Sequence, residues 1–378
     1  MIVQRLLNRL HKQRENVING NINCIPSPFK RFANKYPGIQ QGRYYLVSAS
    51  TKVGKSMIAN YMFLYNPLLY SYYYRDKVHL KIFYFALEET PEDVTLRFMS
   101  YLLYVFDKII ITPEELQSIQ ENKPVDDEIL QKLETEPYRG ILEYYEECVD
   151  FQTVRHPTGI YSVIKDYCLK NGTVYYKDQE IVNNITGDKD IIKAFDYYVP
   201  NDDKLYFIPI IDHVSLLSPE KGMTIKQCID LLSSTYLVKL RNRYNITPVV
   251  IQQQASDMES LDRIKSNKLR PTMNGLAESK LTARDCNVML GLFSPYRHEI
   301  PEYLGYDVKK MKDHLRFLEV VINRGGESNC ICPLYFLGQS NYFEELPLPT
   351  DERIERYYQK VQMLNLMFVK IINLFKKK

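Results

Sequence analysis

Residues 48–56 read Ser-Ala-Ser-Thr-Lys-Val-Gly-Lys-Ser, and no other stretch constrains the fold of this chain so tightly. The apolar run 44–48 ahead of it reads as a buried strand, and 56–65 behind it as a helix. A strand that turns through a short loop into a helix aims backbone N–H groups at one cradle, where the helix dipole favours an anion. The spacing is that of G-x-x-x-x-G-K-[ST], with Ala49 in place of the first glycine. The cradle is then Ala49, Ser50, Thr51, Lys52, Val53, Gly54, Lys55, Ser56 and Met57. Gly54 lets the loop turn. Lys55 is placed to reach the β- and γ-phosphates of ATP, and the Ser56 hydroxyl to serve Mg²⁺.

Beyond this loop, apolar runs alternate with helical patterns. Strands are expected at 80–87, 206–211, 248–253, 288–293 and 317–323, and helices at 92–106 and 225–244. Such alternation implies βαβ units and an α/β fold, its mostly parallel sheet covered by helices. Between the second and third strands lies a polar stretch. It has a helix start at Thr112-Pro113, a helix at 157–170 and a surface insertion at about 171–200. The insertion suggests a hairpin, with 173–177 and 180–182 flanking Asp178-Gln179. Residues 1–18 form a short N-terminal amphipathic arm, since Leu6, Leu7 and Leu10 recur at helical spacing among basic residues. It packs either on its own domain or on a neighbouring subunit. Residues 346–378 make a C-terminal helical tail, leaving 19–345 as the main domain.

With 378 residues and 25% charged side chains, the composition is that of an ordinary globular protein. A net charge of +3 argues against a surface that coats nucleic acid as a whole, so any such binding is local. Seven scattered cysteines without a C-x-x-C pair favour neither a zinc site nor a disulfide framework and suit a reducing compartment. His156 and His213 read as structural. No signal peptide or membrane span is expected, because the apolar tail 361–375 is short and interrupted by polar residues.

A phosphate cradle needs an acid near its metal and a base for water. Asp212 ends the apolar strand YFIPII, although a strand-ending aspartate also serves as a turn or cap. Glu88 and Glu89 follow the strand at 80–87, at the edge where α/β sheets bind ligands. Either suits a base, and both also suit the acidic start of a helix. Gln252, Gln253 and Gln254 end the next strand, where an amide either touches a γ-phosphate or simply closes a polar strand end.

Taken together, these segments resemble DnaB-type replicative helicases of superfamily 4, with a RecA-like motor core, over roughly residues 25–345. The alanine in the loop is similar to that family's form. FYFALEETPEDVTLRF resembles its second strand and helix, which favours Glu88 as catalytic base and places Arg97 as a phosphate-facing arginine. IIDHVSLL resembles the Walker B stretch carrying Asp212 for the metal, and PVVIQQQAS the sensor strand, pointing to Gln254. RPTMNGLAESKLTARD resembles the DNA-contact stretch, implying Arg270, Glu278, Ser279 and Lys280, with Lys268 nearby. VVINRGG resembles the terminal hairpin with an arginine finger at Arg324. The sequence departs from the pattern at Ile322, where the family has lysine, at Ala277 for arginine and at Lys280 for glycine. The resemblance does not extend to the family's N-terminal primase-binding domain, which is expected to be lacking.

The resemblance implies a ring-forming, hexameric motor that binds ATP and Mg²⁺ and encircles single-stranded DNA. It would move 5′ to 3′ and unwind duplex in the cytoplasm of a bacterial or phage-infected cell, with a primase or helicase loader as partner. The same motif order suits a RecA- or KaiC-like remodelling ATPase, or a helicase-loading ATPase without unwinding activity.

Overall fold

The computed structural model describes residues 2–182, 189–256 and 269–375. At its centre is a nine-stranded sheet: β1 (Tyr45–Ala49), β2 (His79–Ala86), β3 (Val149–Phe151), β4 (Leu205–Asp212), β5 (Val249–Gln253), β6 (Val288–Phe293), β7 (Leu315–Asn323), β8 (Cys330–Leu337) and β9 (Tyr342–Glu345). Their order is β9-β8-β7-β6-β1-β5-β4-β2-β3. From β6 to β3 the neighbours run parallel, and β7, β8 and β9 extend that edge antiparallel. The fold is therefore the α/β one that the alternating pattern predicts.

A parallel sheet is covered on both faces, so its central strands are apolar throughout. All five residues of β1 are buried. Tyr45 and Val47 join a core with Ile58, Tyr65 and Phe98, while Leu46 faces a second core with Phe85, Ile211 and Val250. The helices include α1 (Ile2–Ile18), α2 (Lys55–Asn60), α3 (Asn66–Tyr73), α4 (Pro91–Asp107), α5 (Tyr138–Cys148), α6 (Pro157–Lys170), α7 (Ile225–Asp230), α8 (Val238–Tyr244) and α9 (Ile354–Phe375), and further short helices, among them Asp127–Leu133, lie between them.

The helix after the phosphate loop runs past its expected end at 65. A π-helical turn, Tyr61–Tyr65, joins α2 to α3 and opens room for the Pro67 ring, which would otherwise clash with the preceding turn. A second π-helical turn, Leu231–Leu237, joins α7 to α8. At the start of α4 the Thr90 side chain accepts from the Asp93 N–H while the Asp93 carboxylate reaches back, a capping box with Pro91 in the first turn. Glu88 and Glu89 thus lie ahead of the helix rather than inside its first turn.

The insertion forms a long hairpin, Gly172–Val182 paired with Lys189–Pro200. Asp178-Gln179 is not its turn. Asp178 sits mid-strand opposite Lys193, its carboxylate 2.6 Å from that ammonium. Further along the same two strands, Glu180 pairs with Lys189 at 2.6 Å. Cross-strand pairing of opposite charges thus overrides the local turn signal. The arm α1 lies beside the base of this hairpin. Arg5 stacks on the Tyr197 ring and pairs with Asp196 at 3.6 Å, and Lys12 bonds Asp203. Leu6, Leu7 and Leu10 remain 42–50% exposed on the outer side. Among the described residues, no helix is long and apolar enough to cross a membrane.

Candidate nucleotide site

The loop after β1 needs left-handed backbone twice, at Lys52 (φ 61°) and at Gly54 (φ 101°). Glycine takes the second at no steric cost, while a side chain there would be strained whatever the space around it. Gly54 is the N-cap of α2, and its carbonyl accepts from the Ile58 N–H at 3.0 Å. The loop and the start of α2 form one wall of a cleft of about 630 Å³. Ser50, Thr51, Lys52, Gly54, Lys55, Ser56 and Met57 all line it, joined by Asn60, Glu88, Glu89, Arg97, Gln253, Asp313, Arg316, Phe336 and Gly338. Ala49 and Val53 are buried behind it.

Parallel pairing of β2 with β4 brings Ala86 level with Asp212, so both acid-bearing strands end beside the loop. The Ser56 hydroxyl donates to the Asp212 carboxylate at 3.1 Å. The Tyr84 hydroxyl lies 3.2 Å from the other carboxylate oxygen and donates to Asn60 at 3.0 Å. Burial pushes the Asp212 carboxyl up to about 6, against the pull of Lys55 and the Ser56 bond. Burial also lowers Lys55, partly offset by Asp212, Glu88 and Glu278.

This donor set fits a magnesium ion. Its hydroxyl and carboxylate oxygens are hard ligands, and Mg²⁺ takes few protein groups and keeps several waters. Among the described residues there is no group of three or more His, Cys, Asp or Glu side chains arranged to hold a metal. A site of one hydroxyl, one carboxylate and substrate phosphates requires none.

Glu88 and Glu89 point to different partners. Glu89 pairs with Arg97 at 2.6 Å, and its second oxygen is buried without a partner. Glu88 is half-exposed in the cleft, 3.5 Å from His213 Nε2. Burial and the nearby Lys55 press His213 down to about 4, so the ring is neutral near pH 7. Arg97 reaches the cleft, but a carboxylate holds its guanidinium.

The glutamines at the end of β5 divide by strand alternation. Gln254 is 2% exposed. It donates to Ser48 Oγ at 2.8 Å and accepts from the Thr272 N–H at 3.2 Å, so it does not face the cleft. Gln253 does, and its amide donates to Thr51 Oγ1 in the phosphate loop. Of the two, Gln253 reaches the cleft and Gln254, the residue expected to, does not. Gln252, on the buried side, donates to the carbonyls of Ala277 and Ser279 and accepts from Thr282.

That contact ties β5 to the stretch expected to touch DNA. Ala277 N–H donates to the Gln253 carbonyl at 2.9 Å, and Ala255 N–H to the Gly275 carbonyl at 2.7 Å. Within the stretch, Ser279 is 1% exposed and its hydroxyl donates to Asp230, which removes it from the surface. Glu278 accepts from Ser215 at 2.8 Å. Arg270 is half-exposed and paired with Glu319 at 3.2 Å, while Lys280 is exposed. Lys268 lies outside the described residues.

Arg324 is not in this cleft. Asn323, just before it, pairs with Val288, level with Tyr45 at the start of β1, whereas the phosphate loop leaves the far end of β1. Its guanidinium donates to the carbonyls of Cys286 (2.9 Å) and Arg284. Arg316, near the start of β7, reaches the cleft instead. No motif marks it, because a charged residue near the start of an apolar strand reads as a strand end.

No family model and no curated protein sequence matches the chain. Solved structures do. The ATPase domain of a phage helicase superposes with a TM-score of 0.63 at 14% identity, covering 91% of this chain and 99% of that one. A DnaB-like replicative helicase, solved with regard to its interactions with primase, superposes with a TM-score of 0.61 at 15% identity. That match covers 91% of this chain and 66% of the helicase, so the chain spans just under two thirds of its length. The fold of this chain is thus the RecA-like one of DnaB-type helicase ATPase domains.

Proposed function

We propose that the chain is the ATP-driven motor of a DNA helicase, working as a ring, by resemblance a hexamer, on single-stranded DNA. The observation that carries this reading is the convergence of Lys55, Ser56, Asp212 and Glu88 around one cleft at the ends of β1, β4 and β2. A magnesium ion at Ser56 and Asp212 would neutralise phosphate charge there. Lys55 supplies a partly buried positive charge for the terminal phosphates. Glu88, held beside neutral His213, is the group that accepts a proton from, or orients, the attacking water. Gln253 touches the phosphate loop on one side of β5, while Gln252 holds the 275–279 segment on the other. A change at the phosphates therefore has a short mechanical route to Lys280 and Arg270. DNA held mainly through its phosphates by these cations is read with little regard to sequence.

The remaining features come from resemblance. They are 5′-to-3′ movement, unwinding of duplex, work in the cytoplasm of a bacterial or phage-infected cell, and a primase or helicase loader as partner. In this reading Arg324 serves the cleft of the next subunit. The decisive test is Lys55→Ala, which should abolish DNA-stimulated ATP hydrolysis in a folded protein. Undiminished turnover would sink the reading. Forked duplexes with a single 5′ or 3′ tail then separate a 5′-to-3′ helicase from an ATPase that hydrolyses without displacing a strand.

A further inference from the structure

A buried guanidinium needs acceptors for its five N–H groups. Arg316, near the start of β7, is 1% exposed. Its Nε donates to the carbonyl of Val53 at 2.8 Å. One terminal nitrogen donates to the carbonyls of Asp313 (2.7 Å) and Leu315 (3.0 Å), and the other to the Asp313 carboxylate at 2.9 Å. The guanidinium carbon lies 4.7 Å from the centre of the Phe336 ring. Asp313 is the ion-pair partner of this cation and is itself 65% exposed.

Val53 stands between the two left-handed residues of the loop, Lys52 and Gly54. Lys52 holds a conformation that a side-chain-bearing residue adopts reluctantly, so something outside the loop has to maintain it. A trans peptide points its carbonyl and its N–H in opposite directions. Whatever fixes the Val53 oxygen therefore fixes the direction of the Gly54 N–H. An apolar residue would fill the space under the loop without burying a charge, but it would hold no carbonyl.

We propose that Arg316 is a positioning residue for phosphate binding. Gripping the Val53 carbonyl from β7, it keeps the Gly54 N–H and the first turn of α2 aimed into the cleft. Asp313 holds the guanidinium from its other side, so the fork spans from the phosphate loop to the turn before β7. Arg316 acts through the loop and not on the nucleobase or ribose, although it borders the same cleft as Phe336. The proposal rests on reading the cleft as a polyphosphate site.

The test uses the full chain with Mg²⁺ and two probes, ATP and inorganic tripolyphosphate, which has no base or sugar. In Arg316→Met, affinity for both should fall by the same factor, tenfold or more. The KM for ATP should rise with it, while kcat falls less. Arg316→Lys should lie between Met and wild type, because one ammonium cannot hold the Val53 carbonyl and the Asp313 carboxylate together. A folded Arg316→Met with weakened ATP binding but wild-type tripolyphosphate affinity overturns the proposal, since the guanidinium would then serve the base or ribose. If the methionine variant does not fold, the lysine variant decides, and wild-type tripolyphosphate affinity in it overturns the proposal too. Wild-type protein that binds neither probe shows instead that the polyphosphate reading itself has failed.

Discussion

Ser56 and Asp212 meet at 3.1 Å beside the cleft, hydroxyl to carboxylate, one from the first turn of α2 and the other from the end of β4. Burial holds the Asp212 carboxyl at about 6, above its ordinary range. Ionising it works against folding. The penalty is absent below about pH 4, grows as pH rises to about 6 and is complete above that. Asp212→Asn should therefore raise the stability of the nucleotide-free protein at pH 8, by on the order of 1–3 kcal/mol, while abolishing hydrolysis. The difference should shrink toward pH 4. Thermal melts across that range check it. An asparagine variant no more stable at pH 8 than at pH 4, relative to wild type, counts against the buried charge.

Glu88→Gln should bind ATP nearly normally and lower kcat by roughly 10²- to 10⁴-fold, the range for losing a positioned acid–base group. Glu89→Gln should leave kcat largely intact and raise KM several-fold, because it frees Arg97 from its 2.6 Å partner. Steady-state kinetics with a parallel nucleotide-binding assay tells them apart. The reverse pattern would move the base to Glu89.

Gln253→Ala should blunt the stimulation of ATPase by single-stranded DNA with little change in melting temperature. Gln254→Ala should do the opposite and destabilise by about 1–3 kcal/mol, since it strands buried partners at Ser48 and Thr272. Equal effects on DNA stimulation would show that strand alternation does not separate the two roles.

The assembly roles proposed for Arg324 and the arm α1 can be tested together. Mixing Arg324→Ala subunits with Lys55→Ala subunits should restore part of the ATPase activity, each supplying the half that the other lacks. Removing residues 1–18 should lower oligomer size and activity in parallel if the exposed Leu6, Leu7 and Leu10 are the arm's contact with a neighbour. Sedimentation and ATPase assays on the same samples check both. A truncated protein of unchanged size, or exchanging mixtures without rescue, would argue that each site is complete within one chain.

Much of this architecture was legible in residue order. The loop 48–56, the strand ending in Asp212 and the strand ending in the three glutamines each carry a local signal, and the sheet places them together as expected. What stayed hidden depends on contacts distant in sequence. Strand alternation separates the glutamines, but which side meets the cleft depends on partners some two hundred residues earlier, Thr51 for Gln253 and Ser48 for Gln254. Ser279 looked available until Asp230 appeared beside it. Asp178-Gln179 carries a local turn signal because polar residues favour turns, yet the two residues sit within the paired ladder opposite Lys193 and Ile192. The short edge strand β3 has too few residues to show a period.

β7 carries Arg316 near one end and leads directly into Arg324 at the other, about 26 Å apart at ordinary strand rise. It is hydrogen-bonded on both sides, to β6 and β8, over most of that length. Apart from one bulge at Val321, such a pairing resists stretching, so a displacement at one end is passed toward the other. If Arg324 reaches a neighbouring subunit's cleft, β7 is a tie-rod between consecutive sites: a pull at the neighbour's phosphates arrives at this chain's own Val53 carbonyl. Timing around the proposed ring would then depend on the translation of one strand.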